Sequence, residues 1–405
     1  MPARSIKEPS EKLWNLGFAY IVVVNIVNAS AFGMVVPLVP GYVISLGATL
    51  SFAGVVTGLF SVTALLARPV AGVIGDRLNK KWLLAVAMFL NGLSIFLYAL
   101  APGIMWLLPL RLLHGLMFAI SGTVCFSLGS DFVPKKRLSE GVGYLGIGQI
   151  IGMALGPNIG IYLLRYFPHK FCFMLCGATI MAAGLSLTAL RYRNIAAKLP
   201  GNGSNGSNGS KWTFRFHDMI AAELLPNAFF AAILAVNYGL NNAYLIMLGN
   251  ERNIAHIGLY FIVYATVLLV TRPSIGRMTD RRGAAYAIVP GFILTAVSMT
   301  LIGFSHTLPL ILFAAVLAAV GGGAFPAIQA DCMKRLDSNR RTAATGVYLI
   351  GMDIGMAMGQ ICGGRLTDVF NFKTAYNGAA FLMFTGLGLY LLFHRYEMRS
   401  GRALR

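Results

Sequence analysis

Long apolar runs and short polar breaks follow one another along almost the whole chain. A run of about 20 mostly apolar residues has the length of a helix that crosses a bilayer. Twelve such runs can be read, over 14–38, 50–72, 82–101, 106–129, 141–164, 171–190, 219–248, 256–275, 285–304, 308–330, 343–364 and 375–394. A transmembrane barrel would instead show stretches of about ten residues with alternating polarity. The pattern predicts an all-α polytopic membrane protein with twelve transmembrane helices.

Composition agrees and adds an orientation. Apolar types make up 57% of the 405 residues and charged types 12%, against roughly 25% charged in a soluble domain. Disorder is excluded, because it needs low hydrophobicity and high charge. The net charge is +19, from 33 Lys and Arg against 14 Asp and Glu. In a soluble protein that excess would suggest a nucleic-acid partner. Here the basic residues sort by side. With the N-terminus inside, 25 fall on one face of the bilayer, five on the other, and Arg68, Arg111 and Arg272 lie within spans. Positive loops stay inside, so both termini are expected in the cytoplasm, in a bacterial plasma (inner) membrane. No nucleic-acid partner is expected. Cys125, Cys172, Cys176, Cys332 and Cys362 show no CxxC or metal-ligand spacing, so neither a metal, a cofactor nor a disulfide framework is expected.

The two halves repeat. Arg68-Pro69-x-x-Gly72-x-x-x-Asp76-Arg77 closes span 2, and Arg272-Pro273-x-x-Gly276-x-x-x-Asp280-Arg281 closes span 8, at an offset of 204. Gly148, Gly152, Gly156 and Gly160 of span 5 match Gly351, Gly355, Gly359 and Gly363 of span 11 at an offset of 203. Glycines four apart form one smooth helix face that another backbone can approach. The repeat predicts two pseudo-symmetric six-helix bundles, 1–193 and 218–405, joined by a cytoplasmic linker at 194–217. The linker includes a regular Gly/Asn/Ser stretch at 201–210, which reads as flexible chain. Parallel six-span repeats describe a transporter with its site between the halves.

These residues resemble the major facilitator superfamily over essentially the whole chain. Its loop 2–3 signature is similar to Gly72-Val-Ile-Gly-Asp76-Arg77-Leu-Asn79-Lys80-Lys81, with Ile74 and Asn79 departing from the usual Leu and Gly. Its span 4 signature resembles Arg111-Leu-Leu-His114-Gly115, with His in place of Gln. Its span 5 signature, associated with proton-driven exporters, resembles Gly152-x-x-x-Gly156-Pro157-x-x-Gly160 without the final Gly. Pro37-Leu-Val-Pro40-Gly-Tyr42 is similar to the twelve-span drug:proton antiporter branch. The resemblance implies alternating access, with Gly72, Asp76 and Arg77, mirrored by Gly276, Asp280 and Arg281, acting at the gate. It also implies a role for Arg111 in proton coupling.

Coupling to a proton gradient needs a group that gains and loses a proton within the bilayer. Thirteen of the fourteen acids lie in loops, tails or span ends; Asp353 alone is mid-span, which makes it the first candidate. Span 1 offers Asn25 and Asn28 where many drug antiporters carry an acid. His114 lies three residues after Arg111 on one helix face, so the two could form a relay. Asn25, Asn28, Gln149, Asn158, Asn237, Tyr238, Asn241, Asn242 and Gln329 are candidates for the cavity lining. Those of span 7 form one hydrogen-bonding patch. No GxSxG, P-loop or HExxH occurs, so no enzyme is expected. The expected function is proton-coupled efflux of a small organic or amphipathic solute by a monomer. Import of a sugar-like or anionic solute, by symport or uniport, and a non-transporting receptor stay open.

Overall fold

A computed structural model of the chain describes residues 13–134, 138–192, 222–335 and 341–400. The long helices among them are α1 (Leu16–Ser45), α2 (Leu50–Arg77), α3 (Lys80–Tyr98), α4 (Leu107–Asp131), α5 (Leu138–Leu164), α6 (His169–Ser186), α7 (Leu225–Glu251), α8 (Leu259–Arg282) and α9 (Ala285–Phe304). Next comes α10, in two segments (Leu308–Gly321 and Ala324–Arg335), then α11 (Arg341–Val369) and α12 (Phe372–Ser400). Among the described residues, eleven spans are long and apolar enough to cross a membrane by length and composition. The twelfth, α11, has 29 residues and carries Asp353. It tolerates that polarity because it packs between α2 and α7. Helix α1 runs on to Ser45, beyond the expected end at 38, with Pro37 and Pro40 in its interior. Prolines are tolerated in such helices where neighbouring helices satisfy the freed carbonyls.

Buried residues form two large cores. One joins Leu13 to Leu187 from α1–α6, the other Leu224 to Tyr390 from α7–α12. The expected linker at 194–217 lies outside the described residues. Local chemistry sets the helix ends. Asn15 caps α1 by accepting from Phe18 N at 2.9 Å, and its Nδ2 donates to Phe132 O at the end of α4. Asn79, the departure from the loop signature, caps α3 by accepting from Lys81 N at 3.1 Å. An N-cap side chain satisfies one of the orphan amides of the first turn, which a glycine there could not do. Arg252 donates to the carbonyls of Ile302, Gly303 and Ser305, the orphan acceptors at the end of α9.

Each bundle is also tied at its basic end. Asp131 accepts from Lys80 (2.9 Å) and from the Tyr192 hydroxyl (2.7 Å). Burial, with this carboxylate alongside, pushes the Tyr192 pKa up. In the other bundle Asp331 accepts from Asn227 (2.7 Å) and Arg335 (2.8 Å), and Arg335 reaches on to Glu397 of α12.

The glycine ladders seat helices within each bundle. A Cβ on Gly152 would sit 2.5 Å from the Ala29 Cβ, and one on Gly156 would lie 2.7 Å from Met34 N. The α11 ladder repeats this against α7: a Cβ on Gly355 or Gly359 would collide with the carbonyl oxygen of Ala232 or Val236. Between the bundles, contact concentrates away from the basic loops. Gly54 of α2 lies against Gln360 O and the Tyr244 hydroxyl, Gly364 against Leu50 O, and Ser51 donates to Asp368 at 2.5 Å. Gly258, before α8, lies against Asn158 of α5. Toward the basic end, Gly276 and Gly346 face open space and Gly75 meets only Val124 of its own bundle. Among the described residues, the close backbone contacts between the halves thus gather at the end away from the basic loops.

Filling a ladder position should cost about 1–3 kcal/mol through overpacking. Gly355→Val should lower the thermal unfolding midpoint of the purified protein in detergent, while Gly276→Ala, with open space around it, should leave it unchanged.

Candidate functional site

A cavity opens between α5, α7 and α8. Helix α7 contributes Asn237, Tyr238, Asn241 and Asn242, which helical spacing puts on one face. Helix α8 adds Tyr260, Phe261, Tyr264, Ala265 and Leu268, and α5 adds Ile150 and Met153 from the other half. The cavity is narrow, with about 40 Å³ of free volume, well below the roughly 300–1,000 Å³ of a formed small-molecule site. Asn241 Nδ2 donates to Asn237 Oδ1 at 2.7 Å and to the Tyr260 hydroxyl at 3.0 Å. The Tyr238 hydroxyl donates to the sulfur of Met153 at 3.4 Å, bridging the halves. Tyr260 and Tyr264 are missing from the sequence expectations, although they repeat the i, i+4 spacing of Asn237 and Asn241. Beside the cavity, Phe32, Val36, Phe60, Ala235 and Met356 make an apolar seam between the bundles.

Asp353 is buried on α11, as its sequence position suggests, and it is paired. Arg68 of α2 grips both carboxylate oxygens: Nη2 lies 3.1 Å from Oδ1, and Nε donates to Oδ2. The sequence suggests that Arg68 reaches toward the interface. In the fold it turns inward, because an intramembrane charge is least costly against an opposite one. The pair joins the two bundles, since α2 belongs to one and α11 to the other.

Arg111 and His114 do come together, in a different place. Arg111 is fully buried and donates to Val56 O (3.2 Å) and Thr57 O (3.4 Å), with its guanidinium 5.1 Å from the Phe60 ring. Its Nη1 lies 3.3 Å from His114 Nδ1, which also meets the Tyr98 hydroxyl at 2.8 Å. A guanidinium can only donate, so Nδ1 accepts and the ring proton sits on Nε2. That atom is buried without a partner. Phe60 contacts Arg111 and His114 on one side and belongs to the inter-bundle seam on the other.

The sequence model of the Major Facilitator Superfamily matches residues 21–248 and 227–403. The chain belongs to this superfamily. It is therefore a transporter and an integral membrane protein, not an enzyme. An uncharacterised MFS-type transporter of Methanocaldococcus jannaschii is 26% identical, covering 90% of this chain and 94% of that protein. Multidrug resistance protein MdtG of Enterobacter lignolyticus is 24% identical, covering 89% of each. Multidrug resistance protein 1 of Bacillus subtilis is 24% identical, covering 83% and 86%. Among solved structures, the nucleoside transporter NupG gives a TM-score of 0.74 at 13% identity, covering 93% of this chain and 99% of that one. At that identity the likeness shows the fold.

The other expected residues of this facilitator fall in three groups. Asn25 donates to Leu145 O at 2.8 Å, and Asn28 bonds to Ser121 and Asn91, so both are buried within the first bundle and away from the cavity. Asn158 donates to Ala154 O and lies against Gly258 of the other half. Gln149 and Gln329 are half-buried on α5 and α10 and do not line the cavity. The span 5 glycines Gly152 and Gly156, with Pro157 and Gly160, pack α5 on α1. Of the residues expected at the gate, Gly276 and Arg281 are exposed. Gly72, Asp76, Arg77 and Asp280 lie on helical backbone, but their side-chain surroundings are outside the described residues.

Removing one partner of a fully buried ion pair costs about 3–5 kcal/mol. The Arg68 side chain is 24% exposed, so Arg68→Leu should cost less, about 1–3 kcal/mol. The double variant Arg68→Leu/Asp353→Leu should recover most of that loss in thermal unfolding, because it leaves no uncompensated charge.

Proposed function

We propose that this facilitator is a proton-coupled exporter of a small amphipathic organic solute, working by alternating access in a bacterial inner membrane with both termini in the cytoplasm. The Arg68–Asp353 pair carries the reading. It spans the two bundles, so its integrity depends on their relative position. While it is closed, the guanidinium compensates the carboxylate and no proton is needed. When the bundles part along α2 and α11, the carboxylate loses its partner in a low-dielectric setting and takes a proton instead. Proton occupancy is thereby tied to conformation, as exchange requires. In an export cycle the outward-open state takes the proton from outside. Closure of the outer end re-forms the pair and releases the proton inward.

Two relatives named for multidrug resistance support the direction of transport. The α7–α8 cavity receives the solute through Asn237, Tyr238, Asn241 and Asn242. Gly72, Asp76 and Arg77, with Gly276, Asp280 and Arg281, hold the opposite end in the alternate state. Arg111 and His114 fix a positive charge in the first bundle, which biases where a proton rests. The 1–193 and 218–405 bundles then rock about the 194–217 linker.

In energised inverted vesicles, solute accumulation should collapse on adding an uncoupler. Asp353→Asn should lose the uncoupler-sensitive accumulation and keep solute counterflow. Unchanged pH-dependent accumulation in that variant would remove Asp353 from the mechanism.

A further inference from the structure

Among the described residues, three polar side-chain contacts cross between the bundles where α2 meets α11. Arg68 holds Asp353, Ser61 donates to the Gln360 side chain at 3.4 Å, and Ser51 donates to Asp368 at 2.5 Å. Burial falls along this row. Asp353, Ser61 and Gln360 are buried, Ser51 is half-buried and Asp368 is exposed. Between the polar contacts, glycines of α2 let the two helices close. A Cβ on Gly54 would lie 2.6 Å from Gln360 O, and one on Gly58 would lie 2.5 Å from the Ile361 side chain. The row therefore runs from mid-span to the end away from the basic loops, and its last member is the exposed one.

Asp368 is badly placed for its own helix and well placed for another. It lies in the last turn of α11, which ends at Val369, where the helix dipole opposes a negative charge. Across the interface it meets the first turn of α2, which starts at Leu50. The first amides of a helix have no acceptor within it. Thr49 Oγ1 accepts from Phe52 N at 3.2 Å. The Asp368 carboxylate takes the amides of Leu50 and Ser51, together with the Ser51 hydroxyl. One bundle thus caps a helix of the other, and the positive end of α2 offsets the dipole of α11. Arg365, the cation beside Asp368, lies on α11 itself, so it stays with the acid whichever way the bundles move. The cap on α2 lasts only while the bundles stay together at this end.

We propose that the Asp368 carboxylate and the first turn of α2 form a latch that keeps the α2–α11 line shut to water from the end away from the basic loops. Release of the latch uncovers Ser61 and Gln360, and beyond them the way to Asp353. Its strength sets how often the bundles part at this end. The latch rests on the rocking of the bundles in the proposed transport cycle, and not on Asp353 being the proton carrier.

The test is the rate at which a thiol at position 61 reacts with a water-soluble trimethylammonium methanethiosulfonate. It uses the purified full chain in detergent, without a gradient. Ser61→Cys is combined with Cys362→Ser, which removes the exposed native thiol; Cys125, Cys172, Cys176 and Cys332 are buried. Adding Asp368→Ala should speed labelling at position 61 roughly fivefold or more, because the latch loses its charge and its hydrogen bonds. Asp368→Asn, which keeps the shape without the charge, should give a smaller rise of about twofold. Asp368→Glu, which keeps the charge, should stay within about twofold of the unsubstituted rate. An unchanged rate in Asp368→Ala overturns the latch. So does an equal rise at the four buried cysteines, mapped by peptide mass, since that is general loosening of the fold. A rise in Asp368→Glu equal to that in Asp368→Ala also overturns it. None of these rates involves proton movement, so failure of Asp353 as the carrier shows only in the vesicle experiment and failure of the latch only in this one.

Discussion

Helices in a bilayer gain nothing from hiding apolar surface from one another, because lipid tails are as apolar as leucine. Close contact between backbones has to supply the attraction. In this protein the four-residue glycine ladders provide it, bringing α5 against α1 and α11 against α7 at distances no side chain would allow. Everything else follows from those two seatings. With α5 and α11 placed, α2 meets α11 and α5 meets α8 along the line between the bundles. That line holds both the ion pair and the cavity.

Charge within the spans is handled in two ways. Arg68 and Asp353 compensate each other across the bundles. Arg111 is compensated by carbonyl oxygens of α2 and by the face of Phe60, all within one bundle. The difference matters for function. A charge satisfied inside a rigid bundle keeps its surroundings through a rocking motion. A charge satisfied across the bundles does not, and only such a group can register which way the transporter faces.

The repeat is strict in backbone and loose in chemistry. Arg68 and Arg272 occupy equivalent positions, yet one is paired across the interface and the other is exposed. The asparagines of α1 are consumed in bonds to α4, α3 and α5. Those of α7 face the cavity with Tyr260. Symmetry supplies the scaffold, and departures from it distribute the work between the halves.

Spans, repeat and ladder faces were legible in the chain because each rests on local periodicity or composition, which need no knowledge of partners. Asp353 was legible for the same reason: depth within a span is a one-dimensional property. Its partner was not, since 285 residues separate Arg68 from it and reach to an interface looked equally available. The rings of α8 and the two α5 residues that complete the cavity were also invisible, because apolar and aromatic positions in a span look alike until a neighbour is placed. Asn25 and Asn237 read as equal candidates for the same reason. A polar side chain in a helix states that it needs a partner; only the packing of the bundles decides whether that partner is another helix or the solute.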